Sequence, residues 1–292
     1  MSIIFLKSES VDSSRQFIYV KPKKKVSLTM RKMIGTGIFI GVFLYASSLF
    51  SGTIKLTSSL TCEVTPPMLK AGLVLTNEGD EAAHNIQVGF EVQGLDWSSN
   101  VLPVLEPNTP QTFEHQWELD LDSPGVYPLI ARIDYQDAAG YPLSAVAVNP
   151  FTYIEATRSD LFGEMESISL TGEKKMNLVL TNSAQMDVDV LIRMVTPREL
   201  TIEPEQTQVL IAARSKSSHR FKLSNFSALA GASYPIWAVV EYDRQDRHYN
   251  FVSSTVVNIQ APSNLFKDYW WIWIGLALLL ISIFLCKNLK KK

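Results

Sequence analysis

The residues of this chain that could do chemistry are few: four histidines (His84, His115, His219 and His248), two cysteines (Cys62 and Cys286) and a short row of carboxylates. A metal centre needs ligands drawn close together, yet the histidines are scattered and no H-E-x-x-H pair occurs. His115 and His219 each stand two residues before an aromatic, Trp117 and Phe221. In a strand that spacing puts imidazole and ring on one face, which reads as structure rather than ligation. Glu118, Asp120 and Asp122 alternate, and along a strand they would line one face with three oxygens for calcium. The matching positions later in the chain are Lys222, Ser224 and Phe226, which favours a solvated face. Cys62 has no histidine near it in sequence to act as base, and Cys286 closes an apolar run, so neither a catalytic thiol nor a disulfide framework is expected. No G-x-S-x-G elbow and no phosphate-cradling glycine loop occur. Asn225-Phe226-Ser227 is a glycosylation sequon, meaningful only in a eukaryotic secretory setting. Trp97, in the loop-like stretch Leu95 to Asn100, is the best candidate for touching a partner; the competing role is a lid on a core. The expectation is a protein that is not an enzyme and carries no cofactor and no metal.

The elements that must position these residues are set by composition. Hydrophobic residues make up 46% and charged residues 19% of the 292 residues, and the net charge of −2 offers no basic field for nucleic acid. The apolar excess sits in two runs near the ends. Tyr269 to Cys286 is apolar apart from Ser282, and 18 residues of helix span about 27 Å, close to a hydrocarbon core. Tyr269, Trp270, Trp271 and Trp273 cluster at its front, where amphipathic rings settle among headgroups. Lys287, Lys290, Lys291 and Lys292 follow, and positive charge marks the cytoplasmic side. The other run, Ile34 to Phe50, has Arg31 and Lys32 before it and Ala46, Ser47, Ser48, Ser51 and Gly52 at its close, the layout of a secretory signal. Met30 offers a compact alternative start. Cleaved or kept as an anchor, the run exports the middle of the chain.

That middle reads as short alternating apolar stretches broken by Asn, Gly, Pro and Ser, with no long helical period. It also repeats. Leu73-Val74-Leu75-Thr76-Asn77 recurs as Leu178-Val179-Leu180-Thr181-Asn182; His115 to Leu119 is echoed by His219 to Leu223; and Tyr127-Pro128-Leu129-Ile130-Ala131 by Tyr234-Pro235-Ile236-Trp237-Ala238. Similar offsets in the same order point to two copies of one β-sandwich unit. Tyr127, just inside a long late strand, sits where a tyrosine corner would.

The pattern L-x-L-T-N-x-G at Leu73 to Gly79, a proline turn, then G-x-Y-P-L-x-A-x-I-x-Y at Gly125 to Tyr135, resembles bacterial immunoglobulin-like adhesion-type modules of the CARDB and NEW3 kind. The likeness is poorer in the later copy, where Ser183-Ala184 replaces Glu78-Gly79 and Ala232 stands for Gly125. The layout also resembles cell-surface proteins of the WxL-interacting type. These resemblances imply spacers, adhesion units or docking modules.

The expected fold is all-β: two tandem immunoglobulin-like sandwiches with an N-terminal signal or anchor helix and a C-terminal transmembrane helix. The expected segments are a basic cytoplasmic n-region at 1–33, signal or anchor at 34–52, sandwiches at 53–155 and 156–266, the span at 267–286 and a lysine tail at 287–292. The expected role is a scaffold of the bacterial envelope on the cytoplasmic membrane, single-pass or two-pass, with its bulk outside. Its partners would be the lipid bilayer and another envelope protein or polysaccharide, and no nucleic acid. The alternative is an accessory subunit of a transport or polysaccharide-export complex. An enzyme with a site between the domains would require His84, His248 or the Glu118 row to converge.

Overall fold

The computed structural model describes residues 16–17, 52–261 and, near the C-terminus, 270–273, 275–276 and 279–280. The chain through Ile259 is one compact unit and the residues from Gln260 a second. The described structure of the larger unit is all-β, as expected. Its strands follow the period-two rule: in β4 (Ala83–Val92), Ile86, Val88, Phe90 and Val92 are buried while Gln87 and the residues between them are less so.

Two sandwich interiors form. In the first, β2 (Leu56–Thr65), β3 (Met68–Asn77) and β7 (Pro110–Glu118) make one sheet. The other holds β9 (Pro142–Tyr153), β8 (Gly125–Gln136) and β4, with β5 (Leu95–Ser98) and β6 (Leu102–Leu105) both paired to β4. Leu69, Leu73, Leu75, Phe90, Phe113, Leu129 and Ile133 lie between the sheets. A two-residue strand, β1 (Gln16–Phe17), pairs with Ser58 and Thr57 of β2, which seats residues of the expected n-region on this sheet.

In the second sandwich, β10 (Leu161–Met165), β12 (Glu173–Asn182), β16 (Lys216–Asn225) and β14 (Leu200–Glu203) make one sheet. The facing sheet runs β15 (Gln206–Ile211), β13 (Val188–Val195), β17 (Ser233–Arg244) and β18 (Arg247–Ile259), with β11 (Ile168–Leu170) parallel to the end of β18. This is the ABED and CFG order of an immunoglobulin-type sandwich, with one added strand beside C. Leu178, Leu180, Val190, Ile192, Phe221, Tyr234 and Val240 fill it.

Similar local devices close both interiors. Asn77 and Asn182 end β3 and β12 and are buried. Asn77 Nδ2 donates to the carbonyls of Glu81 and Leu105, and its Oδ1 accepts from Gly79 N–H. Asn182 Nδ2 donates to Met186, Ile211 and Ala212, and its Oδ1 accepts from Ala184 N–H. Each side chain thus satisfies backbone groups that the departing strand leaves unpaired. The tyrosine corner is present: Tyr127 O–H donates to the Ser123 carbonyl at 2.6 Å. Tyr234 makes a related contact, its hydroxyl accepting from Leu229 N–H at 3.3 Å.

One equivalence needs correction. Leu73 faces Phe113 across β3 and β7, whereas Leu178 faces His219 across β12 and β16. His219 therefore takes the place of Phe113 rather than of His115. A slip of two residues keeps every side chain on its own face, which is why the core tolerates it.

The two sandwiches are stacked rather than strung. Ile130, Val146 and Val148 from the outer face of β8 and β9 pack against Val195, Trp237 and Val239. This seam explains a pattern the alternation rule does not. Tyr127 to Ala131 and Tyr234 to Tyr242 are unbroken buried runs, because one face fills the strand's own sandwich and the other fills the seam.

Candidate functional site

Trp97 lies on β5 opposite Phe90 and is half-buried. Its indole stacks on Phe90 at 5.3 Å and on the His115 imidazole at 4.8 Å, and His115 meets Trp117 edge-on at 4.5 Å. Burial lowers the His115 pKa, favouring the neutral ring. The ladder bridges the two sheets of the first sandwich at its flank, so the geometry supports a lid on that core. His219 instead shares a 2.9 Å hydrogen bond with the Ser217 hydroxyl.

The carboxylate row does not form as expected. β7 ends at Glu118, and Asp120 and Asp122 fall in the connection to β8. Leu119 N–H has turned to the Pro67 carbonyl, which ends the alternation. Among the described residues no set of His, Cys, Asp and Glu is grouped to hold a metal ion. Nor do the histidines converge. His84 pairs opposite Gln136 at one end of β8, and His248 opposite Gly125 at the other. Eleven residues of strand separate the two, about 36 Å. Burial pushes the Cys62 thiol up to about 11, far from a nucleophile's range.

What the sequence reading missed is the polar rim of the seam. On one flank Glu91 pairs with Arg193 across the two sandwiches, and Gln93 Nε2 donates to Glu241 at 2.9 Å. Glu241 also meets His248 Nε2 at 3.2 Å, and His248 Nδ1 meets Asp243 at 2.8 Å. The His248 ring lies flat on Tyr127 of the other sandwich, 4.1 Å between centroids. Burial works against its charged form, but the hydrogen bonds and charges of Glu241 and Asp243 outweigh this and raise its pKa. Below it the backbones meet: His248 N–H donates to the Pro124 carbonyl at 2.9 Å, and a Cβ on Gly125 would collide with the His248 carbonyl. On the other flank the buried Glu199 accepts from Ser144 N–H at 2.5 Å and from its hydroxyl at 2.6 Å. Burial raises the Glu199 pKa against those hydrogen bonds. Pairs 55 to 148 residues apart carry no sequence spacing rule; only the unbroken apolar runs of β8 and β17 signalled that a second face was covered.

One pole of this unit gathers both ends of its sandwich-forming chain. Where the chain comes in, Thr53 N–H donates to Asp80 Oδ1 and Glu78 N–H to the Lys55 carbonyl. The same loop reaches the β8–β9 turn, as Glu81 accepts from Ala138 N–H at 3.1 Å. That turn reaches the second sandwich, as Tyr141 O–H donates to the Ser227 carbonyl at 2.6 Å. The Ser227 loop ends at Gly231, whose N–H donates to the carbonyl of Ile259, the last residue of β18.

The smaller unit has Trp270 to Trp273, Gly275, Leu276, Leu279 and Leu280 in helix. Trp270, Trp271, Leu276, Leu279 and Leu280 are each more than half exposed, and Trp273 is 48% exposed. Tyr269, Lys287, Lys290, Lys291 and Lys292, like the apolar run Ile34 to Phe50, lie outside the described residues. Among the described residues no helix is long and apolar enough to cross a membrane.

No family model matches the chain, and no curated protein matches it. Solved structures give shallow likenesses. The ASH / PapD-like domain of human CEP192 shares 9% identity over 39% of this chain and 95% of that one, at a TM-score of 0.28. Alpha-2-macroglobulin of E. coli shares 8% over 68% of this chain and 17% of that one, at 0.26. Red sea bream transglutaminase shares 12% over 69% and 31%, at 0.25. The chain thus spans under a third of the latter two proteins.

Proposed function

We propose that this chain is a membrane-tethered scaffold of the bacterial envelope, a duplicated immunoglobulin-like unit outside the cytoplasm that works by docking another envelope protein or a polysaccharide. The observation that carries the reading is the shared pole. Thr53 and Ile259, the described ends of the sandwich-forming chain, both lie at that pole, an arrangement that suits a chain whose two apolar runs enter one bilayer. Exposed Trp270 and Trp271 beside exposed Leu276, Leu279 and Leu280 support it, since such a surface is stable in lipid rather than in water. The common central order, β2-β3-β7 facing β4-β8-β9 and β10-β12-β16 facing β13-β17-β18, and the paired Asn77 and Asn182 support duplication, although β14 pairs with β16 where β5 and β6 both pair with β4. The stacked seam suits a scaffold, because it presents two sandwiches as one stiff surface with exposed loops and sheet edges. Tethering concentrates such a surface at the membrane, so modest affinity suffices.

The test is fractionation of cells expressing the full chain, with protease added outside intact spheroplasts. Retention in the membrane after alkaline carbonate, with residues 53–259 digested from outside, is the expected result. A chain recovered in the soluble cytosol overturns the reading. Sequencing the mature N-terminus shows whether the Ile34 run is kept; a start at Met30 or cleavage near Ser48 leaves β2 as a sheet edge without β1. Exchanging residues 269–286 for an unrelated spanning helix separates a plain tether, which keeps partner capture, from a subunit of a transport or polysaccharide-export complex, which loses it.

A further inference from the structure

Phe226 is 80% exposed, more than any other large apolar residue described. It sits in the β16–β17 connection, and that connection is firmly held. Phe226 N–H donates to the Glu199 carbonyl at 2.9 Å, Asn225 Oδ1 accepts from Ala228 N–H at 2.7 Å, and Gly231 N–H donates to the Ile259 carbonyl at 2.8 Å. Held in solvent by so braced a loop, the ring gains free energy if it enters an apolar phase. The loop's place identifies that phase: it is bonded to the residue from which the chain leaves for the apolar Tyr269 to Cys286 run.

Charge around the pole is divided. The first sandwich brings Glu78, Asp80, Glu81, Glu106 and Asp137 to it, with Lys55 paired to Glu78. Beside Phe226, Asn225 N–H donates to the Gly172 carbonyl at 2.7 Å, which sets the start of β12 close to the loop; there Glu173 is paired with Lys222 at 3.0 Å, and the exposed Lys174 and Lys175 that follow leave this end with a net positive charge. An aromatic ring with two lysines fits an anionic lipid surface, and the acidic half does not.

We infer that, on the tethered reading above, the Phe226 loop dips into the headgroup layer with Lys174 and Lys175 over it. The second sandwich rests on the bilayer and the acidic face of the first is held off it. The partner is lipid, and the contact fixes how the scaffold stands.

The test uses the full chain with Cys62→Ser and Cys286→Ser, reconstituted into vesicles of phosphatidylcholine and phosphatidylglycerol. One polarity-sensitive label is placed through Phe226→Cys, another through Asp246→Cys in the β17–β18 hairpin, at the far end of β17 and about 36 Å away. Lipids carrying a shallow spin label act as quencher. The expected result is a blue-shifted label at 226 that is quenched severalfold more than the label at 246. Flotation with the vesicles but equal quenching at both positions overturns the docking and leaves the tether standing. Failure to float overturns the tether and the docking with it.

Discussion

The two sandwich interiors and the seam between them are apolar at their centres, but they are closed at their edges by different means. Each interior is sealed by short-range devices: an asparagine bonded to carbonyls at the end of its strand and a tyrosine bonded to backbone four or five residues upstream. The seam is sealed by side chains from distant parts of the chain, Glu91 with Arg193, Gln93 with Glu241 and Ser144 with Glu199. Local closure lets each sandwich specify itself. Closure at long range makes the stacked pair depend on both being folded. The seam should therefore act as a coupling between two otherwise separate cores, and that difference can be attacked at several points.

The largest effect is expected inside a sandwich. Leu180→Ala removes a fully buried side chain of the second interior and should cost about 3 kcal/mol. If the seam couples the cores, urea unfolding followed by tryptophan fluorescence, which includes Trp97 and Trp117 of the first sandwich, and by far-UV circular dichroism should shift as one transition. Two separate transitions in the unsubstituted chain would mean that the seam does not couple them.

Gly125→Val strikes the coupling itself. The added side chain would run into the His248 backbone where the sandwiches touch, a clash worth about 2 kcal/mol if the seam stays shut. The expected outcome is a split between the two probes rather than a common shift. A common shift of the same size would place the damage in the interior of the first sandwich.

Asn77→Ala and Asn182→Ala should each cost roughly 1.5 kcal/mol, since each strands buried carbonyls and an N–H. The costs should match within error, because the two side chains play the same part. A large inequality, measured by the same urea curves, would show that the halves are closed differently after all.

How much of this was legible follows from the same distinction. The strands β4, β8 and β13 stand where alternation and turns put them, and the tyrosine corner at Tyr127 was readable from Gly125-Val126-Tyr127-Pro128. Local spacing encodes such features. Two readings went astray for physical reasons. The Glu118 row was extended along a strand that Leu119 ends by bonding to Pro67. His115 and His219 were matched by letters, although a two-residue slip leaves the face unchanged and so escapes any pattern argument. The seam's charged rim was illegible because nothing local marks Glu91 as the partner of Arg193. Trp97 was legible as a special aromatic, and its stacking on Phe90 and His115 could be foreseen only once β5 was placed beside β4.

The smallest expected effect is the response of the seam to pH. His248 faces Glu241 and Asp243 from β17 and Tyr127 from the other sandwich, with Arg193 and Glu91 beyond Glu241. Its folded pKa is raised, so between its ordinary value of 6.5 and the folded value the folded protein holds more protons than the unfolded chain. Stability from this group is then fully present below pH 6.5 and is lost as pH rises through the folded value. Glu199, raised by burial, has the same sign but begins near its ordinary 4.5, so the two responses start in different windows. The urea midpoint of the unsubstituted chain should fall as pH climbs from 6.5, and His248→Gln, which keeps polar contacts without a titrating ring, should flatten that slope alone. An unchanged slope in His248→Gln would assign the response to other groups and leave the rim a fixed clasp rather than one that loosens with pH.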